Sequence, residues 1–346
     1  KIHPEDFQKL EERLKAKWVE NTGSIDHFDE TWKMIQSCMA YGFCSAHALA
    51  TFTDCLYGCY LKANYPLQYY QVALTEYSGD MERTKRLTKE LEYFHIELKD
   101  IKFGRSKANY NADLENRVIY KGVSALKFLN MMVADELYEL SQKKQYKTFD
   151  ELLPDVLQLT SINSRQLYIL IALGYFSDFG DAGKLLSIVD IYNTYSGKKL
   201  LKKEICTLPR ETVLQFATET EKQYRITDSA ALVSYLCENA KPKEFTLSER
   251  LACELEYLGY LSYKSADARD KYNGYVCSAD TKFSPKITVY NLYTGKTETI
   301  KCYKKTFAEQ PLTKGMILTY YTESKQKSRK RASHQALHAL LDGDQC

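Results

Sequence analysis

Five residues at helical spacing, His47, Thr51, Asp54, Gly58 and Lys62, carry the groups in this chain best suited to meet a ligand. At 3.6 residues per turn they fall within about 80° of one another. Leu49, Phe52, Leu56, Tyr60 and Ala63 take the opposite side, so the spacing predicts a helix with an apolar body and one polar edge. His47 and Lys62 stand about four turns apart along that edge, an imidazole at one end and an ammonium at the other. Between them Thr51 and Gly58 leave room for something to lie against the backbone. Pro66 stops the helix, because the residue before a proline is pushed out of the helical region.

The rest of the chain must position that edge. With 346 residues, 44% of them hydrophobic, it is long enough for about two or three domains with real cores. No apolar run approaches the roughly 18 residues of a membrane span. The first residues, KIHPEDFQKLEERLKAKW, are too charged for a signal peptide. A cytoplasmic protein with no membrane partner is the expectation. Ten cysteines without a CxxC pair predict reduced, mostly buried thiols, with Cys55 and Cys59 as core packing. Charge is uneven: Lys264–Arg331 holds 15 Lys/Arg and 6 Asp/Glu, a surplus of +9, so with a net charge of +3 the remainder carries −6. A basic patch on an otherwise acidic chain is the electrostatic footprint of a phosphate backbone.

Helices are predicted over 5–20, through Phe7, Leu10, Leu14 and Trp18, and over 29–40. The stretch 71–94 reads as two helices broken at Ser78–Gly79, the second with Arg83, Lys85, Arg86 and Lys89 on its wet side. Arg117–Tyr120 is strand-like. Ser161–Arg165 caps a helix whose Leu167, Leu170 and Ile171 face inward, and Gly174 ends it. The SDFGD run at 177–181 has kinase lettering, yet no Gly-rich loop, strand lysine or catalytic loop accompanies it. Residues 184–263 read as mainly helical. Beyond them the period shortens to strands at 272–276, 286–292, 297–303 and 315–321, with a hairpin turn at Asn291–Gly295. Tyr275, Phe283, Tyr290, Tyr293, Tyr303 and Phe307 are candidates to stack bases. Lys286, Lys296, Lys301, Lys304 and Lys305 would follow the phosphates beside them. The tail has His334 and His338 at i, i+4 without further ligands at metal spacing.

The stretch 41–70 also resembles a known family, the α subunits of bacterial DNA polymerase III, the family C replicative polymerases, and particularly the Gram-positive type. The resemblance is carried by Tyr41, Phe43, His47, Asp54, Leu56, Tyr57, Gly58, Tyr60, Leu61, Lys62, Tyr65, Pro66 and Leu67. Cys44 stands where the family has Asn; Ala46, Ala48 and Cys55 replace Ser. Tyr120–Ser124 is similar to the family's first helix-hairpin-helix signature with one of two glycines kept. The segments 170–186 and 249–261 resemble later family motifs, the second of which precedes an oligonucleotide-binding (OB) barrel. Gln335–Leu340 has a faint likeness to a sliding-clamp peptide.

The resemblance implies a multidomain, mainly α fold with a small C-terminal OB-like β-barrel. Its parts would be late fingers over 1–115, a helix-hairpin-helix region over 116–263, the barrel over 264–325, and a basic tail with a short helix over 326–346. It implies that Ser45, His47, Thr51 and Lys62 face nucleotide or template. It likewise implies DNA contacts from Lys121 and Gly122, from Asn163, Ser164 and Arg165, and from Tyr290 and Tyr293 with the lysines beside them. The palm carboxylates that hold Mg2+ for nucleotidyl transfer would lie outside this chain, which then supplies no catalytic residue. Partners would be primer-template and single-stranded DNA, dNTP, a sliding clamp and other replisome subunits. Two alternatives stand beside this expectation: a non-catalytic DNA-binding or assembly subunit, split from or degenerate relative to a polymerase, and a helical scaffold that binds only protein.

Overall fold

Four aromatic rings bring the first two helices together. In the computed structural model, which describes residues 4–39, 45–282, 284–302 and 304–320, α1 (Pro4–Thr22) meets α2 (Phe28–Met39) through Phe7 on Trp32 at 5.3 Å and Trp18 on Phe28 at 6.0 Å. Tyr41, Phe43, Cys44, Phe283, Tyr303 and the tail with its histidine pair and clamp-like peptide lie outside the described residues. The chain divides between Pro66 and Leu67 into two compact units. The first unit holds α1, α2 and α3 (Ser45–Asn64), the helix of the polar edge. Proline ends α3 and opens α4 (Pro66–Glu76), where its missing N–H costs nothing at a first helical position.

In the second unit α4 and α5 (Met81–Leu91) are separated at 77–80, and Asp80 caps α5 by accepting from the backbone N–H of Glu82 and Arg83. Leu67, Tyr70, Leu74 and Leu91 pack on a small sheet, β1 (Glu97–Lys99), β2 (Asn111–Asp113) and β3 (Val118–Tyr120), in the order β1-β3-β2. The largest core follows, built from α6 (Met131–Lys143), α7 (Phe149–Leu159), α8 (Ser164–Ala172) and α9 (Ala182–Tyr195). At its centre Phe149, Tyr175 and Phe176 are fully buried, with the Phe176 ring centroid 5.3 Å from that of Phe149 and 4.9 Å from that of Tyr175. Each such ring stabilises the fold by roughly 1.5–3 kcal/mol. Gly174 takes a φ of 79° and ends α8, as its position predicts.

The stretch expected to be mainly helical is interrupted by a second sheet. β4 (Leu200–Lys202), the short α10 (Arg210–Leu214), β5 (Ala217–Glu219) and β6 (Gln223–Ile226) precede α11 (Ser229–Glu238), and the strands pair antiparallel in the order β4-β6-β5. Leu201, Ala217, Tyr224 and Ile226 are buried in the main core. Strands of three and four residues are too short for alternation to stand out from a charged background.

α12 (Leu247–Cys253) opens with a Thr246/Glu249 capping box and runs into a π turn at Glu254–Leu258. β7 (Asn273–Asp280), β8 (Lys286–Asn291) and β9 (Thr297–Lys301) then form a meander. α13 (Lys304–Glu309) follows, and β10 (Ile317–Thr319) returns beside β7, giving the antiparallel order β10-β7-β8-β9. This sheet is open, not a closed barrel, among the described residues. One face buries Val276, Ile287, Val289 and Leu318, and the other sets Tyr275 and Tyr290 in one cluster with Leu251 of α12. Among the described residues no helix is long and apolar enough to cross a membrane.

Gly122 shows how tightly the first sheet is seated. A Cβ there would lie 2.6 Å from the carbonyl oxygen of Ala108 and 2.7–2.8 Å from the backbone of Asn109 and Tyr110. Gly122→Ala should therefore lower stability by about 3 kcal/mol, near the upper end for overpacking. Urea unfolding should show this as a lower midpoint at unchanged m value.

Candidate nucleic-acid interface

The polar edge of α3 forms as its spacing predicts. His47, Thr51 and Asp54 are exposed, while Gly58 and Lys62 are half-buried. The opposite side was expected to be covered. Instead Leu49, Phe52, Leu56 and Tyr60 are 55–66% exposed, and Cys55 and Cys59 are exposed thiols, not core packing. Ser45 is the first residue of the helix.

Lys121 and Gly122, expected to hold phosphate, are placed inside the protein. The Lys121 ammonium is buried and pairs with Asp100 at 2.7 Å, with the Tyr260 ring beside it at 5.3 Å. Burial pushes that ammonium down, but Tyr260 and then Asp100 outweigh burial and hold it above the ordinary lysine value. The N–H groups of Lys121, Val123 and Ser124 donate to the carbonyls of Lys99, Lys107 and Ala108. Amides committed in this way cannot cradle a phosphate, and Gly122 is needed for close backbone packing instead.

At the N-terminus of α8 the Asn163 side chain closes a capping box with Gln166, so its polar atoms serve the helix. Ser164 and Arg165 are exposed, and the Arg165 guanidinium lies 3.6 Å above the Phe128 ring. Phe128 itself has a φ of 70°, a left-handed conformation unusual for an aromatic residue. No sequence signal marked that turn. A cleft of about 670 Å3 also opens beside β2 and β3, lined among others by Arg105, Lys107, Asp113, Glu115, Asp135 and Tyr138. Its mixed charges favour neither anion nor cation.

The C-terminal sheet brings the lysines together. Lys286 of β8 stands directly opposite Lys301 of β9, followed along the same face by Thr288 opposite Thr299. Lys286, Thr299 and Lys301 are exposed, and Lys304 and Lys305 follow at the exposed start of α13; Asp280 of β7 is in register with Lys286 on its other side. Like charges directly opposite destabilise a sheet by a fraction of a kcal/mol, a cost that an anion laid across them would reverse. Lys296 and Tyr293 are exposed at the β8–β9 turn, where Asn291 Oδ1 accepts from the N–H groups of Tyr293 and Thr294.

Tyr290 is corrected from a stacking residue to a core residue. Its ring is 4% exposed and its hydroxyl donates to the Tyr263 carbonyl at 2.8 Å. Burial, then the Glu254 carboxylate, pushes the phenol up to about 12. Because that value lies above the ordinary 10.0, neutral Tyr290 contributes stability that is complete below pH 10 and lost as pH rises through 12. Tyr290→Phe should make the decline of stability over that window shallower by up to one proton, about 1.4 kcal/mol per pH unit. Denaturant midpoints measured between neutral and strongly alkaline pH test this.

No protein-family model matches the chain. Among curated proteins, it is 24% identical over 249 residues to the DNA polymerase III subunit alpha of Campylobacter jejuni, covering 70% of this chain and 19% of that protein. The Treponema pallidum protein of the same name is 24% identical over 252 residues (72% and 20%), and that of Pseudomonas aeruginosa 22% over 288 residues (80% and 24%). The chain spans about a fifth of the length of these relatives. Over most of its residues it is thus similar to a segment of the α subunits of DNA polymerase III.

Proposed function

We propose that this chain supplies nucleotide- and DNA-facing parts of a DNA-directed DNA polymerase of the DNA polymerase III α type. Its segment would run from the late fingers through a hairpin-bearing helical region to an OB-type module. The observation that carries the proposal is the run of Lys286, Lys301, Lys304 and Lys305 on and beside one sheet face, in a chain similar to replicative polymerases over most of its length. The strand order supports an OB-type module, since a three-strand meander, a helix and a fourth strand returning to the first is the order of such modules before closure.

On this reading the β8–β9 face tracks the backbone of the single-stranded template, and Tyr293 at the turn stacks a base. The α3 edge faces incoming dNTP or template through Ser45, His47, Thr51 and Lys62. Arg165 and Ser164 contact duplex backbone. Mg2+ supplies charge neutralisation for nucleotidyl transfer, and its carboxylate ligands belong to a part of the enzyme outside this chain. Residues here therefore bind and orient DNA and nucleotide. A sliding clamp and other replisome subunits are the protein partners such an assembly would meet, in the cytoplasm.

A second reading, a DNA-binding or assembly subunit without catalysis, is favoured by Cys44, Ala46, Ala48 and Cys55, which remove hydrogen-bonding groups that the family pattern carries. Coding sequence upstream of Lys1 separates the two, because palm aspartates are either encoded there or not. Common to both is single-strand binding by the sheet. Replacing Lys301, Lys304 and Lys305 with Ala should weaken it and flatten the salt dependence by about 0.7 per lost contact, about 2 in all. Anisotropy titrations of a labelled single strand over a salt series read this slope, and an unchanged slope would remove the β8–β9 face from the proposal.

A further inference from the structure

The sheet that interrupts the expected helical region has one side in the core and one in water. Along β4 the exposed Leu200 and Lys202 flank the buried Leu201, and on β6 the exposed Arg225 lies between Tyr224 and Ile226, both buried. In the pairing register Leu200 is opposite Arg225, Arg225 is opposite Thr218 of β5, and Lys202 is opposite Gln223. The outward face is therefore Leu200, Lys202, Gln223, Arg225 and Thr218. Lys202 and Arg225 are diagonal neighbours on it, within reach of one another's ligands.

Seven Lys/Arg and five Asp/Glu lie from Ser196 to Asp228, and two of the acids are occupied. Glu219 belongs to the inward parity and is paired with Lys203 and Arg210, each at 2.7 Å. Asp228 caps α11 through the N–H groups of Ala230 and Ala231. Glu204, Glu211 and Glu221 remain, against Lys198, Lys199, Lys202, Lys222 and Arg225. No carboxylate stands on the outward face. Among the described residues neither Lys202 nor Arg225 has a carboxylate within ion-pair distance.

We propose that this outward face of β4-β6-β5 is a further DNA contact, one that grips the phosphate backbone of duplex DNA, and this inference rests on the polymerase reading above. The charge is complementary to phosphate, and the sheet is held rigidly because its other side is part of the main core. Duplex is favoured over single strand by what the face lacks. Single-strand sites add aromatic platforms for unstacked bases. The rings of this module, Phe216 and Tyr224, are both drawn into the core. A face with cations and a threonine hydroxyl but no exposed ring reads phosphates alone, and a duplex presents phosphates while hiding the faces of its bases.

The test uses the full chain, a short blunt duplex and a single strand of the same sequence, with anisotropy over a salt series. The wild-type chain should bind the duplex, and Lys202→Gln with Arg225→Gln should make the duplex slope shallower by about 1.8, at about 0.9 per phosphate contact. Single-strand affinity should hold. The charge-keeping pair Lys202→Arg with Arg225→Lys should retain the wild-type slope. The inference falls if the Gln pair leaves the duplex slope unchanged, or if the charge-keeping pair loses as much. It also falls, with the polymerase reading left standing, if the wild-type chain binds the single strand and not the duplex. Binding of neither at low salt would overturn both.

Discussion

The second unit depends on how the end of β3 is locked in place. Lys121 and Gly122 sit where the first sheet, the helical core and the segment before the C-terminal sheet converge. Lys121 pairs with Asp100 and approaches the Tyr260 ring, while Gly122 presses on the backbone of 108–110. The next N–H groups close onto Lys107 and Ala108, and Lys127 N–H donates to Tyr257 at the π turn. A buried ammonium is costly unless paired and hydrogen-bonded, so this arrangement persists only as a complete set. Glu254 extends it, accepting from the N–H groups of Ser262 and Tyr263, and Tyr290 reaches Tyr263 from the C-terminal sheet.

That lock frees two sheet faces for other work. A sheet with one side in a core has a fixed outer side at no further entropic cost, because its backbone is already ordered. β4-β6-β5 and β8-β9 both carry outward lysine or arginine in this way. Both carry threonine beside their charges, but the first adds the exposed aliphatic Leu200 and the second an exposed Tyr293 at its turn. On the proposed reading, the difference divides duplex backbone from single strand.

Much of the helical part was legible in the sequence, since hydrophobic period marks α1 and α2, Pro66 parts α3 from α4, Asp80 caps α5, and Asn163 and Gly174 bound α8. The α3 edge was legible from period alone. Tyr290 was not, because alternation reports burial only when one side of a strand is wet, and part of this sheet is covered on both sides, by α12 on one and by Leu312 and its neighbours on the other. Lys121–Ser124 resembled a phosphate loop because a glycine needed for close backbone approach looks the same in sequence whether the partner is a ligand or the chain itself. The strands of β4-β6-β5 left alternation too short to register, so their cationic face could not be read before the register was known.

Hydrogen exchange of the full chain with and without a saturating primed template tests the central claim most directly, because it reports backbone protection element by element. Slowed exchange is expected across residues 286–301 and 200–226, with unchanged exchange at Lys121, Val123 and Ser124, whose amides are already committed internally. Protection centred on 121–124 with both sheets unaffected would contradict it.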